Sequence, residues 1–185
     1  DEREPLYTGI GFLPDGRLVA VDNPNKKCLM YNEKFEKVGS YKLSYPPQSV
    51  VAVSEQEVAI TSGRYKLDIL RVNKFNAITL DKSFIVTTKY DSICRMDDGH
   101  FVVGTFDNST PVRILSSTGE EKDFSICFPK KKYPTGPSAC TYIKNSDKVV
   151  LTDMYKHTVY IYDVMASTRV VVKDAQMMQP RGVAI

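Results

Sequence analysis

The chain has 185 residues, of which 42% are hydrophobic and 25% are charged, as is ordinary for a soluble globular protein. Its net charge of +3 is weaker than the clustered basic excess of most nucleic-acid-binding modules. No apolar run reaches about 18 residues, so no membrane span is predicted. The amino-terminal residues DEREPLYTG lack the apolar middle of a secretory signal.

A pattern of short polar turns followed by β-branched runs recurs along the chain. The second residues of these turns are Gly16, Gln56, Gly99 and Asp147, which lie 40, 43 and 48 residues apart. Two of the turns are Asp-Gly, the strongest short signal for a β-hairpin. A self-similar period of this length indicates a repeat architecture.

Each repeat predicts four strands, in the same order. The first strands are expected at Thr8–Phe12, Ser49–Val53, Ser92–Met96 and Ala139–Ile143. The second strands (RLVAVD, EVAIT, HFVVGTF and KVVLTD) are nearly all apolar, as strands buried on both faces should be. The third strands are KCLMYN, LDILRV, PVRILS and TVYIYD, and the looser fourth strands are KVGSYKL, AITLDKS, KDFSICF and TRVVVKD. No segment shows convincing helical periodicity.

Four-stranded units of this length predict an all-β fold, a β-propeller, because one unit alone cannot bury both faces of its sheet. We expect a single domain over residues 1–185, with blades at about 6–43, 44–86, 87–128 and 134–174. The final residues QPRGVAI, 179–185, look like the first strand of a further blade. A sandwich or a barrel is the alternative, although neither needs a repeated four-strand pattern.

The repeats resemble NHL repeats, the propeller blades at the carboxyl ends of many tripartite-motif (TRIM) proteins. The first repeat matches through Gly11, Asp15-Gly16, Val19 to Asp22, and Tyr31, and the fourth matches through KVVLTDMYKHTVYIYD. The second and third match less well, since the Asp that ends the second strand is missing from one and displaced in the other. The segment TVYIYDV also resembles the third strand of a WD40 blade, but the chain has no tryptophan.

NHL rings usually have six blades, so the resemblance implies that four blades and one strand are part of a longer ring. An incomplete ring exposes apolar blade faces, which seek partners. We therefore expect either a fragment of a longer protein or self-association through those faces. A closed four-bladed ring, in which RGVAI docks beside the first blade, is the third possibility.

No motif predicts catalysis, a cofactor or a metal site, so we expect a domain that is not an enzyme. Carboxylate and amide oxygens that could converge on calcium occur at the ends of second strands, but side chains there also accept backbone N–H bonds in turns. These residues are Asp22, Asn23, Asp107, Asn108 and Asp153. His100 and His157 have no partner at metal-ligand spacing.

The four cysteines, Cys28, Cys94, Cys127 and Cys140, form no Cys-x-x-Cys pair. Three of them lie among apolar neighbours, which favours reduced thiols in a cytoplasmic protein. Two disulfides in a secreted domain are the alternative.

Loops that join second to third strands, and loops that join successive blades, should lie on one face of a propeller. Basic and aromatic residues concentrate in these loops and are the candidate binding residues. They are Arg64, Tyr65, Lys89, Tyr90, Lys130, Lys131, Lys132, Tyr133, Tyr155, Lys156 and Arg181. The resemblance implies a protein partner, as for the substrate-recognition part of a TRIM ubiquitin ligase, and RNA is the alternative because lysines interleaved with aromatics suit single strands.

Overall fold

A computed structural model describes residues 3–133 and 135–182. Within these ranges the chain forms sixteen strands, one 3-10 turn at Lys144–Ser146 and no α-helix. No helix in the described part is therefore long and apolar enough to cross a membrane.

The strands form four sheets of four strands. The first sheet contains β1 (Tyr7–Phe12), β2 (Leu18–Asp22), β3 (Lys27–Tyr31) and β4 (Lys37–Lys42), and the second contains β5 (Pro47–Ala52), β6 (Glu57–Ser62), β7 (Lys66–Val72) and β8 (Ile78–Ile85). The third contains β9 (Tyr90–Arg95), β10 (His100–Thr105), β11 (Val112–Ser116) and β12 (Glu121–Lys122), and the fourth contains β13 (Cys140–Ile143), β14 (Lys148–Asp153), β15 (Thr158–Asp163) and β16 (Thr168–Val172).

Within each sheet the strands lie in chain order, and every neighbouring pair is antiparallel. This is the blade architecture of a β-propeller, and the fold class expected from the sequence is confirmed. The second strand of each sheet is almost wholly buried, as its continuous apolar sequence predicts. The outermost strands β8 and β16 are largely exposed.

In the first three sheets, the turns from third to fourth strands share a local design. Asn32 and Asn73 each use their side-chain oxygen to accept two backbone N–H groups from the residues that follow, and Ser116 does the same with its hydroxyl oxygen. A residue with positive φ lies three positions after each of these capping residues: Phe35, Asn76 and Gly119. The side-chain acceptor satisfies backbone donors that would otherwise be unpaired.

The chain divides into two compact units, one up to Val86 and one from Thr87 onwards. In the first unit, β1 packs against β5, and an apolar core that includes Val21, Met30 and Leu70 lies between the two sheets. In the second unit, β9 and β10 pack against β13, and the core includes Val102, Leu151 and Tyr162.

The fourth strand of the third sheet differs from the expectation. The sequence KDFSICF, residues 122–128, was expected to form it, but β12 has only two residues and begins at Glu121. Phe124 and Phe128 leave the sheet edge, and Phe128 packs edge-on against Tyr162 of the fourth sheet with ring centroids 4.4 Å apart. The free energy gained by burying these aromatic rings is therefore larger than the free energy that further strand hydrogen bonds would give.

The expected first strand of a further blade, 179–185, falls partly on residues 183–185, which lie outside the described residues. Its described part, residues 179–182, is not in a strand.

Candidate functional site

Two loops of the second unit meet in an exposed group of aromatic and basic side chains, which we call the loop patch: Lys130, Lys132, Tyr133, Tyr155 and Lys156. Tyr133 lies in the connection from β12 to β13, and Tyr155 lies in the turn from β14 to β15. Their rings meet edge to face with centroids 5.0 Å apart, and they stay 47% and 39% exposed. The ammonium of Lys132 lies 5.3 Å from the Tyr133 ring centroid.

The connection that carries Tyr133 is fixed to neighbouring loops by its backbone. The N–H of Lys131 donates to the carbonyl of Ser109 at 3.0 Å, and the N–H of Gly136 donates to the carbonyl of Phe106 at 2.8 Å. Gly136 has φ +152°, and a Cβ there would lie 2.7 Å from the ring of Tyr155. Only glycine fits at this position without displacing the aromatic pair.

Lys131 is an internal part of this loop rather than an exposed binding group. Its ammonium donates to the carbonyl oxygens of Thr105, Phe106 and Gly136 at 2.8, 2.9 and 2.8 Å. Burial lowers the pKa of Lys131 to about 8, while Asp91 and two further carboxylates act in the opposite direction. Lys131 is therefore still charged at pH 7, and its three N–H donors join the end of β10 to the loop before β13.

Asp91 is a partly buried carboxylate whose charge acts on Lys131. Burial raises the pKa of Asp91 to about 6, and the charge of Lys131 acts in the opposite direction. One of its oxygens, Oδ2, is buried and accepts no hydrogen bond. A mostly buried carboxylate with an unpaired oxygen is costly when ionised, so this pair makes the base of the loop sensitive to pH.

The lysines of the loop patch differ in how they are held. Lys156 is 3.2 Å from the carboxylate of Asp153 and donates to the carbonyl of Lys130 at 3.0 Å. The side chains of Lys130 and Lys132 are exposed. The patch therefore offers two exposed lysines, of which Lys132 lies beside the ring of Tyr133.

The remaining candidate residues lie elsewhere. Arg64 and Tyr65 are exposed in the turn from β6 to β7 of the first unit, where Tyr65 has φ +57°. Arg181 is exposed and donates to Gln179 at 3.3 Å. The backbone N–H of Lys89 donates to the carboxylate of Asp107 at 2.9 Å.

The expectation that Tyr90 lies in an exposed loop is wrong. Tyr90 is the first residue of β9, only 1% exposed, and its hydroxyl donates to Glu121. Glu121 in turn lies 3.5 Å from Arg113, so the tyrosine anchors the short strand β12. A Lys-Tyr sequence such as Lys89-Tyr90 is typical of an exposed loop. In the structure Tyr90 is part of β9, where successive side chains point to opposite faces, and its ring lies on the buried face.

The carboxylates and amides considered as calcium ligands accept or donate hydrogen bonds in turns, as the turn interpretation predicts. Asp22 accepts from the amide of Asn25 at 2.7 Å, and Asp153 accepts the N–H of Lys156 at 3.0 Å. Asn108 accepts the N–H of Thr110 at 2.9 Å. Among the described residues, no group of three or more His, Cys, Asp or Glu side chains is placed to hold a metal ion.

A small cavity lies beneath Tyr155, lined by Pro111, Pro129, Pro137 and Leu151 among others. Its volume is about 10 Å³, which is room for one water molecule. Such a space can support the ring above it but cannot enclose a substrate.

No protein-family model matches the chain, and no curated protein matches it. Among solved structures, the chain is similar to the crystal structure of a protein of unknown function from Bacteroides caccae, with a TM-score of 0.68 at 12% identity. The match covers 93% of this chain and 62% of that protein, so the chain spans less than two thirds of its length. At this identity the likeness concerns the fold alone.

Proposed function

We propose that this chain is a non-catalytic recognition domain that binds a protein partner through the loop patch. The observation that carries the proposal is the edge-to-face pair of Tyr133 and Tyr155, both partly exposed. The loop that carries Tyr133 is held in place by its backbone and by Lys131. Rigid, partly exposed tyrosines lose little conformational entropy on binding and are frequent anchors of protein interfaces.

The proposed setting is the substrate-recognition part of a TRIM-type ubiquitin ligase in the cytoplasm. This step is supported by the resemblance to NHL repeats in the sequences of the first and fourth sheets. In this setting the ligase chemistry belongs to other parts of a parent protein, and these blades carry no enzymatic step and no cofactor.

Two baits of equal size test the role of the patch. The variant Tyr133→Ala/Tyr155→Ala removes the aromatic pair, and Phe35→Ala/Phe75→Ala removes two exposed aromatics from the turns between third and fourth strands. Both should be compared with the wild-type chain by quantitative mass spectrometry of proteins retained from a lysate of its native cells. We expect one or more proteins to be retained by the wild type and the control and lost by the tyrosine variant. If no retained protein distinguishes the two variants, the patch is not the binding surface.

RNA is the second candidate, because the exposed Lys130 and Lys132 belong to the same loop as Tyr133, and bases could stack on the exposed aromatic pair. Fluorescence anisotropy with a labelled single-stranded RNA at increasing salt tests it. Removing both charges in Lys130→Ala/Lys132→Ala should reduce the salt slope by about 1.4 if both contact phosphates. RNA binding no tighter than the binding of polyaspartate would exclude this candidate.

Self-association is a further proposed partner interaction. The first sheet exposes Leu6, Ile10 and Phe12 along and beside β1. Light scattering over a range of protein concentrations tests it: a mass that rises with concentration and falls in Ile10→Lys supports the proposal, and a constant monomer mass refutes it.

A further inference from the structure

Two of the four thiols share one packing site in the second unit. All four cysteines are unbonded: Cys28 and Cys140 are buried, Cys94 is partly buried and Cys127 is exposed. Cys94 lies on β9 of the third sheet and Cys140 on β13 of the fourth. Both side chains belong to the apolar cluster between these sheets.

Ser92 fixes the position of Cys140 relative to β9. Its hydroxyl accepts the N–H of Cys140 at 3.1 Å, donates to the carbonyl of Ser138 at 2.9 Å and lies 3.4 Å from the sulfur of Cys140. Cys94 is two residues further along the strand, so its side chain points to the same face as that of Ser92. Because Cys140 is part of the apolar cluster and Cys94 packs against it, the two thiols lie in the same packing site between β9 and β13.

The first unit shows how closely the backbones approach at this level. By strand register, Gly11 on β1 corresponds to Cys94, since Gly11 pairs with Val19 as Cys94 pairs with Val102. Val50 pairs with Ile60 as Cys140 pairs with Leu151, so Val50 corresponds to Cys140.

A Cβ built on Gly11 would lie 3.6 Å from the carbonyl oxygen of Val50. A side chain at this position of the first strand therefore reaches the backbone of the next sheet within van der Waals distance. In the second unit the corresponding side chains are Cys94 and Cys140, which share one apolar cluster between the first strands of neighbouring sheets.

We infer that Cys94 and Cys140 are a redox-sensitive pair that hydrogen peroxide converts into a disulfide between the innermost strands of the third and fourth sheets. The sulfur of Cys94, the less buried of the two residues, attacks one peroxide oxygen, the O–O bond breaks, and Cys94 sulfenic acid and one water form. The Cys140 sulfur then attacks the Cys94 sulfur, the S–O bond breaks, and a second water leaves. Two S–H groups become one S–S bond, and the peroxide is reduced to two waters.

The order of these steps follows from the surroundings of the two sulfurs. The hydrogen bond with Cys94, together with burial, raises the pKa of the Cys140 thiol well above its ordinary value. Cys140 is therefore a poor first nucleophile towards peroxide in solution, and it acts as the resolving thiol.

The test treats the folded, full chain with hydrogen peroxide, blocks remaining thiols with N-ethylmaleimide in denaturant, and analyses tryptic peptides without reduction. Trypsin places Cys94 in peptide 90–95 and Cys140 in peptide 133–144, while Cys28 and Cys127 fall in 28–34 and 123–130. We expect loss of two of the four thiols and a linked species of peptides 90–95 and 133–144, lighter by two hydrogen atoms than their sum. Recovery of Cys94 and Cys140 as alkylated thiols, or of Cys94 as sulfinic acid beside alkylated Cys140, would overturn the inference.

Two controls separate the folded geometry from random oxidation. In Cys94→Ser, Cys140 should remain fully alkylatable after the same exposure; equal loss of the Cys140 thiol in this variant would contradict the assigned order. In urea, the wild-type link between 90–95 and 133–144 should no longer dominate over links to Cys28 and Cys127. A link that forms equally well in urea would show that the fold does not create it, and this arm needs no variant.

Discussion

Each unit contains two sheets of four antiparallel strands, packed against each other. The two units differ in the residues that form this packing contact within the unit. In the first unit, glycines on β1 let backbone meet backbone: a Cβ on Gly9 would lie 2.8 Å from the Cα of Ser49. In the second unit, the glycine has moved to the neighbouring strand, as Gly104 on β10, and Ser92 and Cys94 take the places of Gly9 and Gly11. In the first unit, the first strand therefore contacts the next sheet through glycines. In the second unit, the corresponding positions carry a serine and a cysteine, whose side chains fill this contact.

The units also differ after their third strands. In the first unit, β4 and β8 are full strands that close their sheets, whereas in the second β12 has two residues and a long connection follows. That connection supplies Phe128 to the core, Lys131 to the loop base and Tyr133 to the loop patch. The connection that replaces most of the fourth strand in the third sheet therefore contributes side chains both to the core and to the candidate site.

The largest expected effect concerns the segment that left the sheet edge. Phe128→Ala should reduce the free energy of unfolding by about 4 kcal/mol, because it empties a buried site beside Phe124 and Tyr162. Phe75→Ala, where the ring is 78% exposed, should change it by less than about 0.5 kcal/mol. Urea denaturation measures both. A cost for Phe128→Ala below about 1 kcal/mol would mean that this segment is not part of the core.

The next effect tests the two sheet contacts directly. In Gly104→Ala the new methyl group would overlap the carbonyl oxygen of Ser138, so we expect a loss of about 3 kcal/mol. In Gly11→Ala the methyl group meets its nearest neighbour at 3.6 Å, an ordinary contact, and the loss should stay below about 1 kcal/mol. Equal losses in the two variants would contradict the difference between the units.

Asp91 gives the second unit a pH dependence. Its pKa is raised by burial from 3.8 to about 6, so between about pH 4 and 6 the folded chain holds a proton that the unfolded chain has released. Stability from this group is therefore lost as pH rises through that window. Asp91→Asn should gain about 3 kcal/mol over the wild type on going from pH 3.5 to pH 7.5. A stability difference that does not change with pH would show that Asp91 ionises normally.

The smallest global effect is expected at Lys131. Lys131→Met removes one donor from each of three carbonyl oxygens, although that of Phe106 keeps the N–H of Gly136. With local rehydration, the cost should stay at about 1 kcal/mol. Amide hydrogen exchange should instead rise in the loop around Gly136 and stay unchanged in β13. Lys132→Met, which removes an exposed ammonium from the same loop, serves as the matched control. Unchanged exchange near Gly136 would mean that Lys131 does not hold the loop.

Much of the architecture is readable from local sequence. The apolar runs of the second strands and the turns at Asp15-Gly16 and Asp98-Gly99 locate the hairpins, because these signals act over a few residues. The capping positions of Asn32 and Asn73 could have been read in the same way, since each precedes a turn at the same point of its repeat.

The candidate site was only partly readable, because its partners are distant in sequence. Nothing near Lys131 shows that its ammonium meets Thr105 and Phe106, about 25 residues away. The sequence predicts that Tyr133 and Tyr155 both lie in loops, but their contact depends on the path of the connection before β13. Residues 122–128 have a sequence suited to a strand, and it is the burial of Phe128 against Tyr162 that decides their path.

Site-specific photo-crosslinking tests the central claim, that the loop patch is the recognition surface, most directly. A benzophenone side chain is introduced at Tyr133 in one variant and at Phe75 in the other. Phe75 is a matched position, since it also lies in an exposed loop beside a lysine, with Lys74 at 5.1 Å from its ring centroid. After irradiation in native cells, the account predicts a discrete crosslinked partner from position 133 and none from position 75. The same crosslinked proteins from both positions, or crosslinks from position 75 alone, would contradict it.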